Sequence, residues 1–498
     1  MDPLNPTKLN VTIFGGELYL QPDSLISVSI YSHKTNALTE CCRIESSVYE
    51  NNPNWPTSIS IDYLFEVIQP IHFTIKNQLG LEQFKFSSTL AELTTKGTVF
   101  FECYEVGTVR KLKVVAKEEN YSDEVINLHF KAHNVDKMDF FGKSDPYFVL
   151  SKLVNGNWVQ VYKSEIVKKT LDPIWKAFSL TSKQFFDNNQ NYPLKIDVFD
   201  WDMGTKDDFI GGFEFNYSQL GNQNCRFELI NLKKQKKKKK YSNSGVFEVA
   251  GFQVLKSFSF IDYMLAGVKL STIFGIDFTS SNQDFNLPTS LHNLQCDNFY
   301  EGLVASFANL LGQYDPSKLF PLFGFGGEPS WLKRLDHCFA LNQSNISPYV
   351  HGVENLINTY KAAVKTIRYS GPTLISQVVS AANSLSSNFE IDKAYNILVI
   401  ILDSSINDMY QTLSSLVQSS FLPLSVIFVA IGNDSFNGLS QLTDFPLTDE
   451  IGKKSVRKNT QLSYLREFGN NTEALVSHVL RRIPKEFEEY MKFIHYFP

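Results

Sequence analysis

The hydrophobic pattern of this chain changes near residue 256. Before that point, short segments that alternate apolar and polar residues are separated by turn residues, which is typical of antiparallel β-sandwiches. After it, continuous apolar segments such as residues 394–402 and 423–431 alternate with longer segments of helical periodicity. Strands that are buried on both faces and separated by helices are typical of a doubly wound α/β domain. Since 498 residues are too many for a single core, we expect two antiparallel β-sandwiches followed by one α/β domain. The expected domains cover residues 1–118, 119–255 and 256–498.

Two segments of the second expected sandwich crowd carboxylates into glycine-containing turns. The first, residues 139–146, contains two aspartates, and the second, residues 200–211, contains four. Carboxylates this close repel one another, and a fold tolerates them mainly when a hard cation neutralises them. Calcium suits this role best, because it takes about six to eight oxygen ligands in flexible geometry. The alternative is that these aspartates are ordinary turn residues.

Residues 125–211 resemble a C2 domain. The resemblance implies that the two acidic loops meet at one end of the sandwich and share calcium ions, whose remaining coordination positions are taken by lipid phosphates. The implied calcium ligands are Asp139, Asp145, Asp200, Asp202, Asp208 and Thr205. The apolar residues at the tips of the two loops are Phe140, Phe141, Trp201 and Met203. Apolar side chains beside a metal site suit shallow insertion into a membrane, although aromatic residues of this kind also occur as core residues.

The first expected sandwich departs from this pattern. Glu17 and Asp23 occupy the acidic positions of its first loop, but the segment that corresponds to the third loop, residues 75–82, is shorter and contains one acid. We expect this sandwich to bind calcium weakly or not at all, and to serve as a scaffold or as a calcium-independent contact surface.

A block of lysines lies late in the second expected sandwich, at residues 233–240. It is either a solvated loop or a contact for anionic lipid, where each basic residue near the surface contributes roughly 1 kcal/mol. The adjacent calcium motif gives the lipid contact as much support as the solvated loop. The lysines assigned to it are Lys236, Lys237, Lys238, Lys239 and Lys240.

The segment Asp277-Phe-Thr-Ser-Ser281 follows an apolar strand at the start of the α/β region. It resembles the metal-ion-dependent adhesion motif of von Willebrand A-type domains. The resemblance implies a Mg²⁺ or Mn²⁺ site that leaves one position for a partner's carboxylate, with two further loops at the carboxyl ends of strands. The implied ligands are Asp277, Thr279, Ser281, Thr373 and Asp403. Ser404 stands where that family usually has glycine. A side chain at this position can shift the third loop and thereby change the affinity for the metal.

Two C2 domains followed by an A-type domain is the architecture of the copine family, which this chain resembles over nearly its whole length. Segments such as residues 288–292 and 369–373 are similar to copine segments. The resemblance implies a cytoplasmic protein that moves to plasma or endosomal membranes when calcium rises. There it would bind anionic phospholipid and recruit protein partners through the A-type domain.

Other functional classes find little support. The formal net charge of -5 argues against nucleic-acid binding by the whole chain, and the apolar runs are shorter than the roughly 20 residues of a membrane span. The start of the sequence has no signal-peptide pattern, and the scattered cysteines are expected to be reduced. No nucleophile elbow, phosphate-binding loop or zinc motif occurs, so we interpret the chain as a binding protein and not an enzyme. The alternatives are a phosphotransferase-type enzyme and a calcium-independent, self-associating scaffold.

Overall fold

The computed structural model of the protein divides the chain into two compact units. One comprises Met1–Glu119 together with Ser259–Pro498, and the other comprises Asn120–Phe258. The structure describes residues 6–16, 25–32, 37–45, 54–77, 79–105, 108–119, 124–138, 142–187, 189–202, 206–221, 225–256, 258–296, 298–344 and 346–498.

The first part of the larger unit is an antiparallel sandwich. Its elements are β1 (Thr7–Gly16), β2 (Leu25–Ser32), β3 (Ala37–Glu45), β4 (Asn54–Tyr63), β5 (Pro70–Lys76), β6 (Glu82–Thr89), α1 (Leu90–Lys96), β7 (Thr98–Glu105) and β8 (Thr108–Glu118). One sheet has the order β4-β1-β8-β7 and the other β3-β2-β5-β6. Alternate residues of β5, namely Ile71, Phe73 and Ile75, are fully buried, because successive side chains of a strand point to opposite faces.

The smaller unit is a second antiparallel sandwich. Its elements are β9 (Val125–His133), β10 (Pro146–Val154), β11 (Asn157–Lys163), β12 (Phe178–Thr181), α2 (Ser182–Phe186), β13 (Leu194–Asp200), β14 (Asp208–Phe215), β15 (Arg226–Glu228), α3 (Leu232–Lys237) and β16 (Val246–Leu255). The sheets have the orders β11-β10-β13-β14 and β12-β9-β16-β15. Phe148, Trp175 and Phe247 pack together in the core between them. The antiparallel pairing predicted before residue 256 is therefore confirmed in both sandwiches.

The second part of the larger unit contains a sheet with parallel strands at its centre. Its elements are α4 (Phe260–Leu265), β17 (Lys269–Asp277), α5 (Phe299–Leu311), β18 (Leu319–Phe325), β19 (Gly327–Pro329), β20 (Phe339–Ala340), β21 (Tyr349–His351), α6 (Val353–Val364), β22 (Ile367–Tyr369), α7 (Ser376–Leu385), α8 (Phe389–Asp392), β23 (Ala394–Leu402), α9 (Met409–Ser419), β24 (Leu424–Ala430), β25 (Thr460–Tyr464), α10 (Thr472–Leu480) and α11 (Ile483–Phe493). The strand order is β20-β18-β17-β23-β24-β25, and the pairs from β18 to β25 are parallel.

Helices cover both faces of this sheet. Every residue of β23 is buried, which is why the strand has no alternation of polar and apolar residues. On one face, α7 and α9 pack against β23 and β24. On the other face, Tyr395 of β23 packs against Phe487 and Tyr490 of α11.

Within the larger unit, the first sandwich packs directly against the helices of the α/β region. The hydroxyls of Tyr63 and Tyr314 are hydrogen-bonded at 2.6 Å, and both tyrosines are buried. The ring of Phe65 lies 5.1 Å from that of Phe260 and 4.9 Å from that of Tyr314, measured between centroids. At the edge of this contact, Arg481 donates to Glu66 at 3.0 Å. Aromatic packing around a buried hydrogen bond gives the two parts a shared core.

Glu118, at the end of β8, lies at the same contact. Burial raises the pKa of its carboxyl to about 7, and the nearby carboxylates of Asp262 and Glu488 add to the shift. Because the pKa of Glu118 is higher in the folded than in the unfolded protein, its contribution to the free energy of unfolding is complete below the unfolded value of about 4.5. That contribution is lost as pH rises through the folded value of about 7.

We expect Glu118→Gln to stabilise the protein at pH 8 by on the order of 1 kcal/mol, because the amide never acquires the buried charge. At pH 4.5 the gain should be close to zero. Thermal unfolding of the full chain at both pH values measures it. Glu119→Gln is the matched control, since the Glu119 carboxylate bonds the exposed Ser60 hydroxyl. An equal gain at both pH values, or the same gain in the control, would contradict this assignment.

Candidate metal and membrane sites

Three aspartates of the second sandwich meet at one end of a sheet. Asp145 directly precedes β10, Asp200 ends β13 and Asp208 begins β14. The register places Pro146 and Asp208 on either side of Asp200. The side-chain Oδ1 of Asp200 accepts the backbone N–H of Asp145 at 2.6 Å. Antiparallel pairing thus joins residues of the two acidic segments.

Further contacts of these loops involve backbone groups and a lysine. Asp145 Oδ1 accepts the N–H of Lys169 at 2.6 Å, and the Nζ of Lys168 lies 5.6 Å from the ring centroid of Trp201. The N–H of Asp202 is bonded to Asp207. Several predicted residues lie outside the described residues: Asp139, Phe140, Phe141, Met203 and Thr205, and, in the first sandwich, Glu17 and Asp23.

The lysine block begins as the short helix α3, whose start is fixed to this end of the sandwich. Asn231 caps the helix by accepting the N–H of Lys234 at 3.2 Å. The same buried side chain donates to the carbonyls of Phe209, at 2.9 Å, and Ile210, at 3.1 Å. These carbonyls directly follow Asp208, so the helix starts beside the second acidic loop.

One lysine of the block is already paired. Lys234 donates through Nζ to Asp136 at 2.8 Å, just before the first acidic loop. The five lysines predicted to contact lipid, Lys236–Lys240, are exposed. Hence α3 is hydrogen-bonded to segments beside both acidic loops while its last lysines face solvent.

In the α/β region, neighbouring parallel strands end at two aspartates. Asp277 is the last residue of β17, and Asp403 follows β23. Asp277 Oδ1 accepts the N–H of Thr279 at 2.8 Å and its hydroxyl at 2.7 Å. The Ser281 hydroxyl donates to Asp403 Oδ1 at 2.8 Å and lies 2.9 Å from that of Thr279. Four of the five predicted ligands therefore lie in one group of short polar contacts.

The fifth predicted ligand reaches the third loop through Ser404. The Thr373 hydroxyl lies 3.1 Å from the Ser404 hydroxyl, and the N–H of Thr373 donates to Asn407 at 3.0 Å. Ser404, the departure from the family pattern, thus links the second and third loops.

Comparison with known proteins finds matches in two separate parts of the chain. The copine family model matches residues 290–498, and the C2-domain model matches residues 127–242. Copine-A of Dictyostelium discoideum is 32% identical over 459 residues, which cover 89% of this chain and 76% of that protein. The chain belongs to the copine family. The family prediction is confirmed, as is a β-sandwich of the C2 kind, and both matches associate this copine with calcium-dependent membrane binding.

Solved structures similar to parts of the copine include C2 domains. BON1-C2B is 27% identical and covers 27% of this chain and 93% of its own, with a TM-score of 0.23. The calcium-bound pair of C2 domains of extended synaptotagmin 2 is 16% identical and covers 51% of this chain and 98% of its own, with a TM-score of 0.20.

The pKa values of the Asp277 and Asp403 carboxyls are both raised. Asp277 is fully buried and Asp403 nearly so. Burial, and then the charge of Asp403, raise the pKa of Asp277 to about 8. Burial also raises the pKa of Asp403. A divalent cation between them would remove this repulsion. Two carboxylates and three hydroxyls fit a hard ion such as Mg²⁺ or Mn²⁺.

The acidic end of the second sandwich also fits a hard cation, because the donors present are carboxylate oxygens. In the part of the chain that the structure describes, however, no three His, Cys, Asp or Glu side chains are grouped closely enough to hold a metal. Asp145 and Asp200 instead accept backbone N–H groups. Likewise, no helix among the described residues is long and apolar enough to cross a membrane.

Two structural carboxylates of this copine were not among the predicted ligands. Asp207 accepts hydrogen bonds from the Tyr147 hydroxyl at 2.6 Å and the Asp202 N–H at 3.2 Å, and these bonds, that of Tyr147 first, lower its pKa. Asp408 accepts the N–H groups of Ile375 and Ser376 at the start of α7. Asp207 thus ties the second acidic segment to β10, and Asp408 ties the segment after β23 to the start of α7. Neither contact leaves a signal in local spacing.

Proposed function

We propose that this copine is a calcium-dependent phospholipid-binding protein. It is cytoplasmic at low calcium and moves to plasma or endosomal membranes when calcium rises. The observation that carries the proposal is that Asp145, Asp200 and Asp208 lie on neighbouring strands at the same end of a C2-type sandwich. Calcium held there, with Asp139, Asp202 and Thr205 completing the ligands, would bind the phosphates of anionic lipid.

The lysine helix supports the same membrane-facing end. Because α3 is bonded beside both acidic loops, the exposed lysines 236–240 lie near the proposed calcium ligands. Trp201 is partly exposed at the same end. With Phe140, Phe141 and Met203, it would enter the lipid surface once calcium neutralises the loops.

We propose further that residues 256–498 form a von Willebrand A-type domain, residues 119–255 the calcium-binding C2 domain and residues 1–118 a degenerate C2 domain. The A-type domain would hold Mg²⁺ or Mn²⁺ through Asp277, Thr279, Ser281, Thr373 and Asp403. The bound ion would supply an open coordination position for an acidic side chain of a protein partner. The contact of Tyr63 with Tyr314 supports a scaffolding role for the first sandwich.

We expect the double variant Asp200→Asn, Asp202→Asn to lose calcium-driven cosedimentation with phosphatidylserine liposomes. Each lost carboxylate should raise the calcium concentration for half-maximal binding about tenfold or more, equivalent to about 1.4 kcal/mol. The matched control is Asp187→Asn, Glu214→Gln, which removes the same charge at exposed positions outside the acidic loops. If the double variant binds normally while Glu17→Gln, Asp23→Asn does not, the calcium site lies in the first sandwich.

Changing Lys236–Lys240 to Gln should weaken liposome binding most at low ionic strength and leave the requirement for calcium in place. The reason is that these charges attract acidic lipid over about 8 Å at physiological salt. Lys234 is retained in the variant because it pairs with Asp136. Cosedimentation across a salt series at saturating calcium is the measurement. A salt dependence equal to that of the unchanged protein would show that the block is only a solvated segment.

Mn²⁺ binding to the α/β region can be isolated by titrating the full chain in the Asp200→Asn, Asp202→Asn background. We expect one site to remain and to disappear in Asp277→Ala. It should weaken less in Asp403→Ala, because we propose that Asp403 holds the ion through a water molecule whereas Asp277 binds it directly. Asp392→Ala removes an exposed aspartate before β23 and is the control. Equal calorimetric heats for all forms, or none for any, would contradict the proposed metal site.

A further inference from the structure

A buried histidine lies beneath the loop that carries Asp277. His292 is fully buried, and its Nε2 lies 2.7 Å from the backbone carbonyl oxygen of Asp277. A carbonyl oxygen can only accept, so Nε2 carries the proton and donates. The other ring nitrogen, Nδ1, then has a free lone pair and lies 2.9 Å from the hydroxyl of Tyr360, which can donate to it.

Aromatic rings fix the plane of this imidazole. Tyr300 of α5 stacks on it with a centroid distance of 4.1 Å and an interplanar angle of 13°. The ring of Phe278, the residue after Asp277, stacks at 5.0 Å and 7°. With rings stacked on it and hydrogen bonds at both nitrogens, the imidazole has one orientation.

The same cluster holds a second carbonyl of the loop. The Tyr300 hydroxyl donates to Asn282 Oδ1 at 2.8 Å. Asn282 is also buried and donates through Nδ2 to the carbonyl of Thr279 at 3.3 Å. The backbone of two proposed metal ligands is thus anchored to α5 and α6 by side chains that are not ligands themselves.

We infer that His292 is a positioning residue of the divalent-metal site, which it serves by holding the backbone carbonyl of Asp277. The inference rests on the metal site proposed above. Residues that orient a ligand in this way typically change metal affinity by about 10–100-fold when they are replaced. Without the His292 donor, Asp277 keeps its carboxylate but loses the hydrogen bond that holds its backbone in place before a metal ion binds. Metal binding must then also order the backbone of Asp277, which lowers the affinity.

The test separates the hydrogen bond from the packing of the ring. In the full chain with Asp200→Asn and Asp202→Asn, His292→Phe keeps a ring between its aromatic neighbours and removes the donor. Tyr360 retains a partner in this variant, because its hydroxyl also lies 3.1 Å from Asn298 Oδ1. We expect the Kd for Mn²⁺ to rise about tenfold or more in His292→Phe. His292→Gln, whose amide can donate from nearly the same place, should recover most of the affinity.

The control is Tyr395→Phe, which removes a buried hydrogen bond to Ser425 of 2.7 Å near the start of β23, away from the strand ends that carry the aspartates. A purely structural role predicts that Tm falls in both variants while neither changes the Kd for Mn²⁺. That outcome, or a His292→Gln protein that folds yet binds Mn²⁺ as poorly as His292→Phe, would overturn the inference.

If His292→Phe does not fold, His292→Gln and Tyr360→Phe carry the test. The inference then predicts near-parent Mn²⁺ affinity for the first and a Kd raised about threefold for the second, within the factor that a secondary hydrogen bond supplies. An unchanged Kd in Tyr360→Phe, or a loss in His292→Gln, would then overturn it. A parent protein that binds no Mn²⁺ overturns the metal site as well, whereas a parent that binds but is insensitive to these changes overturns the inference alone.

Discussion

The parallel pairing of β17 with β23 is the constraint on which the α/β site depends. Its register sets Ile276 beside Ile401, so two aspartates separated by 126 residues reach the same edge of the sheet. A shift of one residue would turn one strand's side chains to the opposite face. Since helices cover both faces, the carboxylate would then lie in an apolar layer, where an isolated charge is costly. Fold and site are therefore specified by the same pairing.

Much of this organisation could be read from local patterns. The alternation of buried and partly exposed residues in β5, and the continuous burial of β23, follow from how many faces of each sheet are covered. Asp277, Thr279 and Ser281 could be recognised together because they are close in sequence. The remaining contacts join distant residues. Tyr147 and Asp207 are 60 positions apart, Asp136 and Lys234 are 98, and Tyr63 and Tyr314 are 251. Ser404 was recognisable as a departure, but its bond to Thr373 depends on how two loops approach. His292 stood in a recognised segment without an assigned role, because nothing in its neighbours in sequence indicates the carbonyl that it holds.

In the second sandwich, the buried side-chain amide of Asn231 connects the lysine helix α3 to the strand that follows the second acidic loop. Asn231 caps the lysine helix and at the same time satisfies two carbonyls of the strand that follows the second acidic loop. Cationic and anionic groups are thereby held at one end of the sandwich, where Lys234 of the block pairs with Asp136 while Lys236–Lys240 are exposed. Calcium would add to the positive charge of the exposed lysines, and lipid phosphates would be attracted by both.

The larger unit is discontinuous in sequence, with residues 1–119 and 259–498 on either side of the second sandwich. During synthesis, the first sandwich therefore emerges from the ribosome well before the helices that cover Phe65 and Tyr63. The second sandwich has its own core and can fold as soon as its last strand is available. The surface of the first sandwich around Tyr63 and Phe65 stays uncovered until α4, α5 and α10 have been synthesised. The larger unit can therefore be completed only after the smaller one has been synthesised, and its contact surface is exposed during that interval.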